Sequence, residues 1–227
     1  MNNNLIICFL GMDGSGKSTL STYLYGELLK RDYSVSHKWW LEGEDSFVRK
    51  FIRKIGKNSD INSSKTIEGK SSQKNIYQRV YTWIVLLDYL RFGFITVTLP
   101  NLLKKNQIMI FDRYYYDVIF ALSKEFNFSS KQKSRLFKIF SNIILEPDLI
   151  YYIEVTPEIS YSRKKSEIKN MANAESIYND YQQLVLLINH SLNVSNVLEI
   201  DNSDKLESVK SKIFNGFINF IEEKYND

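Results

Sequence analysis

The sequence predicts an α/β protein, a parallel sheet covered by helices on both faces. Short apolar runs alternate with helical stretches along the whole chain, a pattern that argues for parallel strands joined by helical crossovers. The first of these runs, Leu5 to Leu10, ends on a glycine-rich segment that leads directly into a helical pattern.

Leu5-Ile6-Ile7-Cys8-Phe9-Leu10 is continuously apolar and bounded by Gly11, as expected of a central strand buried on both faces. Cys8 is the only cysteine; it reads as a small buried hydrophobe, and no disulfide can form within one chain. From Lys17 onward, Leu20, Tyr23, Leu24, Leu28 and Leu29 recur at helical spacing, and residues 34–40 read as a second strand. Phe47, Val48, Phe51, Ile52 and Ile55 alternate with Arg49, Lys50, Arg53 and Lys54, which makes a short helix with one apolar and one basic face. Residues 56–75 are rich in Gly, Asn, Ser and Lys. They read as a mobile loop, because too little chain precedes them to form a domain of its own.

A long helical region is expected from residue 76 to residue 105, kinked at Gly93 or Pro100. Residues 107–111 read as a third strand ending on Asp112-Arg113, residues 149–155 as a fourth and 197–200 as a fifth. Helices fill the gaps at about 116–125, 131–144, 157–165, 174–192 and 205–222, and there is no internal repeat.

A chain of 227 residues, 44% hydrophobic and 25% charged, is long enough for one sizeable core, so a single domain over residues 1–227 is expected. The net charge of +4 is spread along the chain and is too weak to indicate a nucleic-acid partner. The start Met1-Asn2-Asn3-Asn4 carries no basic region, and the apolar run after it is short for a signal or membrane segment. A cytoplasmic protein without membrane association is expected.

Gly11-Met12-Asp13-Gly14-Ser15-Gly16-Lys17-Ser18 matches G-x-x-x-x-G-K-[ST] between a buried strand and a helix, the context that its mechanism requires. Glycines let backbone N–H groups converge on phosphate oxygens, and the helix start adds positive potential. Lys17 can then reach the β- and γ-phosphates of ATP, and the Ser18 hydroxyl can ligate Mg²⁺. A plain glycine-rich turn would not explain why Lys and Ser follow Gly16. No N-K-x-D segment is present to read guanine, which disfavours a GTPase.

Asp112 and Arg113 stand at the exit of a hydrophobic strand. In an open α/β sheet, ligands sit beyond the carboxyl ends of the strands, so both should face the crevice that holds Lys17. Asp112 can hold Mg²⁺ through water or accept a proton, and Arg113 can clamp a phosphate; the bland alternative is a surface ion pair. Ser162-Arg163-Lys164-Lys165-Ser166-Glu167-Ile168-Lys169 is a cationic run. Alone it reads as a solvated helix face, and beside a phosphate loop as a basic lid over about residues 163–173.

Gly11 to Ser18, followed by Thr19, together with Asp112-Arg113-Tyr114, resembles the thymidylate kinase family of nucleoside monophosphate kinases. Val155-Thr156-Pro157-Glu158 with Arg163, and Ile200-Asp201, extend the likeness more loosely. The resemblance implies a three-layer P-loop NTPase fold, its five parallel strands in the order 2-3-1-4-5. It implies ATP as donor, Mg²⁺ as cofactor and a small phosphate-bearing acceptor; whether the chain pairs as a homodimer is left open by the sequence. Gly11, Gly14, Ser15, Gly16, Lys17, Ser18 and Thr19 would bind the donor phosphates, and Ser18 and Asp112 the metal. Lys17, Asp112 and Arg163 would be catalytic, Gly14 marking the subgroup whose catalytic cations come from the lid. Asp13, Arg53, Arg91 and Arg113 would bind the acceptor.

One departure stands out. Where the family carries an Arg-Glu-Pro-Gly type segment, this chain has Ser36-His37-Lys38-Trp39-Trp40-Leu41-Glu42-Gly43. Trp39 and Trp40 can stack on a base or sugar, although paired aromatics at a strand end are more often core and rim. His37 reads as an ordinary histidine before it reads as a phosphate ligand. A kinase acting on a sugar, a nucleoside or another metabolite, and an ATP-binding module without transferase activity, therefore stay open beside a nucleoside monophosphate kinase.

Overall fold

The computed structural model describes residues 4–40, 71–125, 128–165, 168–191 and 196–226. The helix expected at 47–55, including Arg53, and the loop expected at 56–75 as far as residue 70 lie outside the described residues. Residues 71–75, expected in that loop, are helical instead and begin the long helix five residues earlier than expected.

The elements run β1 (Leu5–Leu10), α1 (Lys17–Leu29), β2 (Val35–Trp39), α2 (Ser71–Gly93), a π-helical turn (Phe94–Thr98), α3 (Leu99–Leu103) and β3 (Ile108–Asp112). They continue α4 (Tyr115–Glu125), α5 (Ser130–Ser141), β4 (Leu149–Glu154), α6 (Pro157–Arg163), α7 (Met171–Ser191), β5 (Val197–Asp201) and α8 (Leu206–Asn226). All strand pairs are parallel, in the order β2-β3-β1-β4-β5 that the resemblance implied. β1 lies between β3 and β4, where the winding direction reverses, and the strand ends open a crevice there.

The continuous apolar strands are explained by burial on both faces. Along β1, Ile6, Cys8 and Leu10 enter one core while Leu5, Ile7 and Phe9 enter the other. The first core is closed by α2, α4, α5 and α7 through residues such as Leu86, Ile119, Phe137 and Leu184. The second is closed by α1 and α8 through Leu20, Leu24, Leu28, Val209, Ile213 and Phe217. With no face left to water, no polar alternation can appear in these strands.

Most element ends fall within a few residues of the sequence-based expectation, and two differences bear on the site and its packing. β3 runs one residue later than residues 107–111 and takes Asp112 into its last rung, opposite Phe9 and Trp39. The irregularity expected at Gly93 or Pro100 falls between them: the helix continues through Gly93, widens into the π turn and resumes at Leu99. Gly93 is needed for packing, since a Cβ there would lie 2.3 Å from Ile144 Cδ1 and 2.8 Å from Trp40 Cη2. Pro100 has no N–H to give the carbonyl four residues back. That carbonyl, of Thr96, accepts instead from Lys38 Nζ on the edge strand at 3.2 Å. By length and composition Thr82–Leu103 is apolar enough to cross a bilayer, and here Val85, Leu86, Tyr89 and Val97 of that stretch lie in the core.

The tryptophan pair divides. Trp40 is fully buried, with its ring 4.8 Å from Tyr114, 5.5 Å from Phe92 and 5.9 Å from Phe111. Trp39 is 46% exposed at the crevice. Trp40→Ala is therefore expected to cost about 3–5 kcal/mol in urea unfolding, whereas Trp39→Ala should change stability by about 0.5 kcal/mol or less.

Candidate active site

The phosphate-binding loop leaves β1 at Gly11 and is shaped by what its carbonyls meet. Met12 O accepts from Lys17 Nζ at 2.8 Å and from Ser15 N–H at 3.1 Å. Asp13 O accepts from Ser160 Oγ at 2.6 Å, and Gly14 O from Arg163 Nη1 at 3.1 Å. Ser15 O accepts from Asn202 Nδ2 at 2.6 Å, and Gly16 O from the Leu20 N–H at 3.0 Å. Five consecutive carbonyls are thus occupied. The first-turn N–H groups of α1 have no helical acceptor, and Gly16, its N-cap, supplies no capping side chain. These donors are left for an anion.

Gly16 must be glycine on two counts. Its φ of 93° is left-handed, and an added Cβ would sit 2.4 Å from Asn202 Nδ2. Gly11 is equally constrained, since a Cβ there would lie 2.3 Å from Ile153 O.

A cleft of about 790 Å³ opens over this loop, lined by Asp13, Lys17, Ser18, Trp39, Arg113 and Arg163 among others. Lys17 is 4% exposed, and its Nζ lies 4.0 Å from Asp13 Oδ1. From the other side Arg113 Nη2 donates to the same Asp13 Oδ1. Two cations, one from the loop and one from the β3 exit, therefore converge on one carboxylate oxygen. Arg113 has a φ of 70°, a left-handed backbone costing a non-glycine residue about 1 kcal/mol. Its N–H is held by Phe9 O at 3.0 Å. Its Nη1 donates to the Tyr181 hydroxyl at 2.9 Å and to Asp117 Oδ1 at 3.3 Å. Burial opposes the guanidinium charge, yet Tyr181, Asp117 and Asp13 together raise its pKa further. Burial and then Asp117 push the Tyr181 phenol up, so it stays protonated and donates to Asp117 Oδ1 at 2.6 Å.

Asp112 is 4% exposed at the end of β3, and its Oδ1 has no hydrogen-bond partner among the described residues. Asp112 does not itself line the cleft, although its charge acts on Lys17, and a buried carboxylate oxygen left without a partner suits a cation. No cluster of three or more His, Cys, Asp or Glu side chains able to hold a metal is present among the described residues. Mg²⁺ needs none, since it commonly takes one or two carboxylates together with water and substrate phosphates. Asp112 and the Ser18 hydroxyl fit that pattern.

Not every expected residue reaches the cleft. Arg91 lies on α2 with a 62% exposed side chain, pairs with Asp88 at 3.1 Å and does not line the cleft. Arg163 lines the cleft, but its two terminal nitrogens are engaged by Gly14 O and, at 3.3 Å, Asn202 O. His37 lies on β2 and meets α1, its Nε2 3.0 Å from Ser21 Oγ. Ser160, Asn202, Asp117 and Tyr181 are contributors that the sequence reading missed. Asp117 had a usable signal, four residues after Arg113 at a helix start. Asn202 had a weaker one in following a strand end, and Ser160 and Tyr181 had none.

A sequence model of the thymidylate kinase family matches residues 9–213 of the chain. Among curated proteins, the thymidylate kinase of Leptospira interrogans is 25% identical over 199 residues, 80% of this chain and 81% of that protein. UvrABC system protein A of Helicobacter pylori is 36% identical over 100 residues, 41% of this chain. The chain spans only 10% of the length of that relative.

Burial, and after it Arg113, push Lys17 down to about 8 against the opposing pull of Asp13. Lys17 is then charged below that pH and loses its proton as the pH rises through it. ATP binding is expected to weaken about tenfold between pH 7 and pH 9. Calorimetry in buffers of different ionisation enthalpy should register proton uptake on binding at the higher pH, and any residual binding by Lys17→Ala should lack it.

Proposed function

The chain belongs to the thymidylate kinase family, a family of phosphotransferases, and from that premise we propose that it moves the γ-phosphoryl group of ATP to the phosphate of a nucleoside monophosphate. The observation that carries this reading is the convergence of Lys17 and Arg113 on Asp13 Oδ1. A donor-side cation and an acceptor-side cation face each other across a few ångströms, as joining two phosphates requires. dTMP is the acceptor we propose first, because the Leptospira relative is a thymidylate kinase.

In this reading Gly14, Ser15, Gly16, Ser18 and Thr19 present the donor-binding backbone and hydroxyls, and Lys17 reaches the transferring phosphate. Arg113 takes the acceptor phosphate, and Trp39 offers a flat apolar rim to its base or sugar. An acceptor phosphate oxygen forms the new bond to the γ-phosphorus as the bond to the β–γ bridging oxygen breaks, and ADP leaves. Mg²⁺ held by Asp112 and Ser18 would neutralise charge on the phosphates. Arg163 contributes by fixing the outer side of the loop as well as by its own charge. We assign these roles within a single kinase domain.

ADP release should be followed with ATP and a panel of nucleoside monophosphates, nucleosides and sugars. A nucleoside monophosphate, dTMP foremost, is expected to stimulate turnover, and Lys17→Ala to lower it by about 100-fold or more. Stimulation by sugars or nucleosides alone would move the acceptor class. ATP binding without stimulation by any acceptor would make the protein a nucleotide-binding module instead.

A further inference from the structure

The two terminal nitrogens of Arg113 live in different surroundings. Nη2 meets Asp13, whose side chain is 47% exposed at the cleft. Nη1 meets Asp117, whose side chain is 5% exposed, and the buried hydroxyl of Tyr181. Neither Asp117 nor Tyr181 lines the cleft. Asp117 is itself fixed, since its Oδ2 accepts the Tyr114 N–H at 3.2 Å and its Oδ1 accepts the Tyr181 hydroxyl at 2.6 Å. Tyr181 uses its one proton on Asp117 and a lone pair on Arg113, so Nη1, the phenol and Asp117 Oδ1 close into a ring that occupies both Nη1 protons and the phenol proton. The ring joins α7 to the start of α4, 68 residues apart in sequence at the Arg113–Tyr181 contact.

A doubly paired arginine is a poor anion receptor unless one partner can leave. Asp117 is buried and held by two further hydrogen bonds, and moving it would strand a carboxylate away from water. Asp13 is half-exposed, and water can take it over at little cost. We propose that Asp117 and Tyr181 are positioning residues of the acceptor site: they clamp one edge of the Arg113 guanidinium so that its other edge exchanges the Asp13 carboxylate for an acceptor phosphate. The clamp rests on the reading of Arg113 as the acceptor-phosphate ligand and adds how that ligand is aimed. It makes acceptor binding a substitution at one nitrogen, with the geometry of the arginine set beforehand. The carboxylate released by this exchange stays beside Lys17, at 4.0 Å.

The test uses Asp117→Asn and Tyr181→Phe, which preserve shape, with dTMP as the probe. Both variants are expected to raise the KM for dTMP about tenfold while the KM for ATP moves less than about threefold. In an Arg113→Lys background, which lacks the two-edged guanidinium, neither should raise it further. A second readout needs no acceptor: in ¹⁵N-arginine NMR the Nη protons of Arg113 should be resolved by hindered rotation in the parent protein and averaged in both variants. Unchanged KM for dTMP, equal effects in the Arg113→Lys background, or a guanidinium as restrained in the variants as in the parent would each overturn the clamp. Loss of restraint in the variants of a protein that phosphorylates no nucleoside monophosphate would support the clamp and overturn the acceptor class proposed above.

Discussion

The structure of the site depends on the outward turning of five consecutive carbonyls, Met12 to Gly16, each of which meets a donor. A backbone segment can offer its N–H groups to a ligand only if its C=O groups are satisfied elsewhere. Here the partners come from four places: the loop's own Lys17, the first turn of α1, α6 through Ser160 and Arg163, and the β5 exit through Asn202. The glycines permit the shape and these donors select it. Without them, a segment containing Gly11, Gly14 and Gly16 would have many conformations of similar energy.

The two buried cations are compensated differently. Lys17 has one carbonyl and a carboxylate at 4.0 Å, and its proton is held loosely. Arg113 has two carboxylates and a phenol and holds its charge firmly. A loosely compensated charge gains most from an incoming phosphate, because the protein gives up little to make the new contact. A firmly compensated one gives up a partner and gains in return a defined direction. Lys17 and Arg113 thus trade affinity against aim in opposite proportions.

The centre of the sheet was legible in the sequence because β1, β3 and β4 are buried on both faces, and an uninterrupted apolar run such as Leu5 to Leu10 has few other homes. The loop was legible because local backbone demands fix its glycines. Asp112 and Arg113 were legible as strand-exit residues, and of the two Arg113 lines the crevice while Asp112 is buried beneath it. The remainder of the site rests on contacts between distant segments. Nothing near Ser160 announces that its hydroxyl will meet Asp13 O, 147 residues away, and nothing in the cationic run tells Arg163 to grip a loop carbonyl. The same holds for Arg91, whose helical position was readable while the direction of its side chain, toward Asp88, was not. The π turn shows the limit on the main chain: Pro100 and Gly93 were visible as irregularities, but Lys38 settles what happens to the carbonyl of Thr96.

The sequence separations across the loop, 147 residues to Ser160 and 187 to Asn202, bear on how the protein is made. Ser160, Arg163 and Asn202, which brace Asp13, Gly14 and Ser15, are synthesised 147 to 187 residues after the loop carbonyls they meet. A nascent chain carrying β1 and α1 has the phosphate motif in sequence and lacks the scaffold that holds it open. A ligand that binds only the fully braced loop stabilises the finished protein.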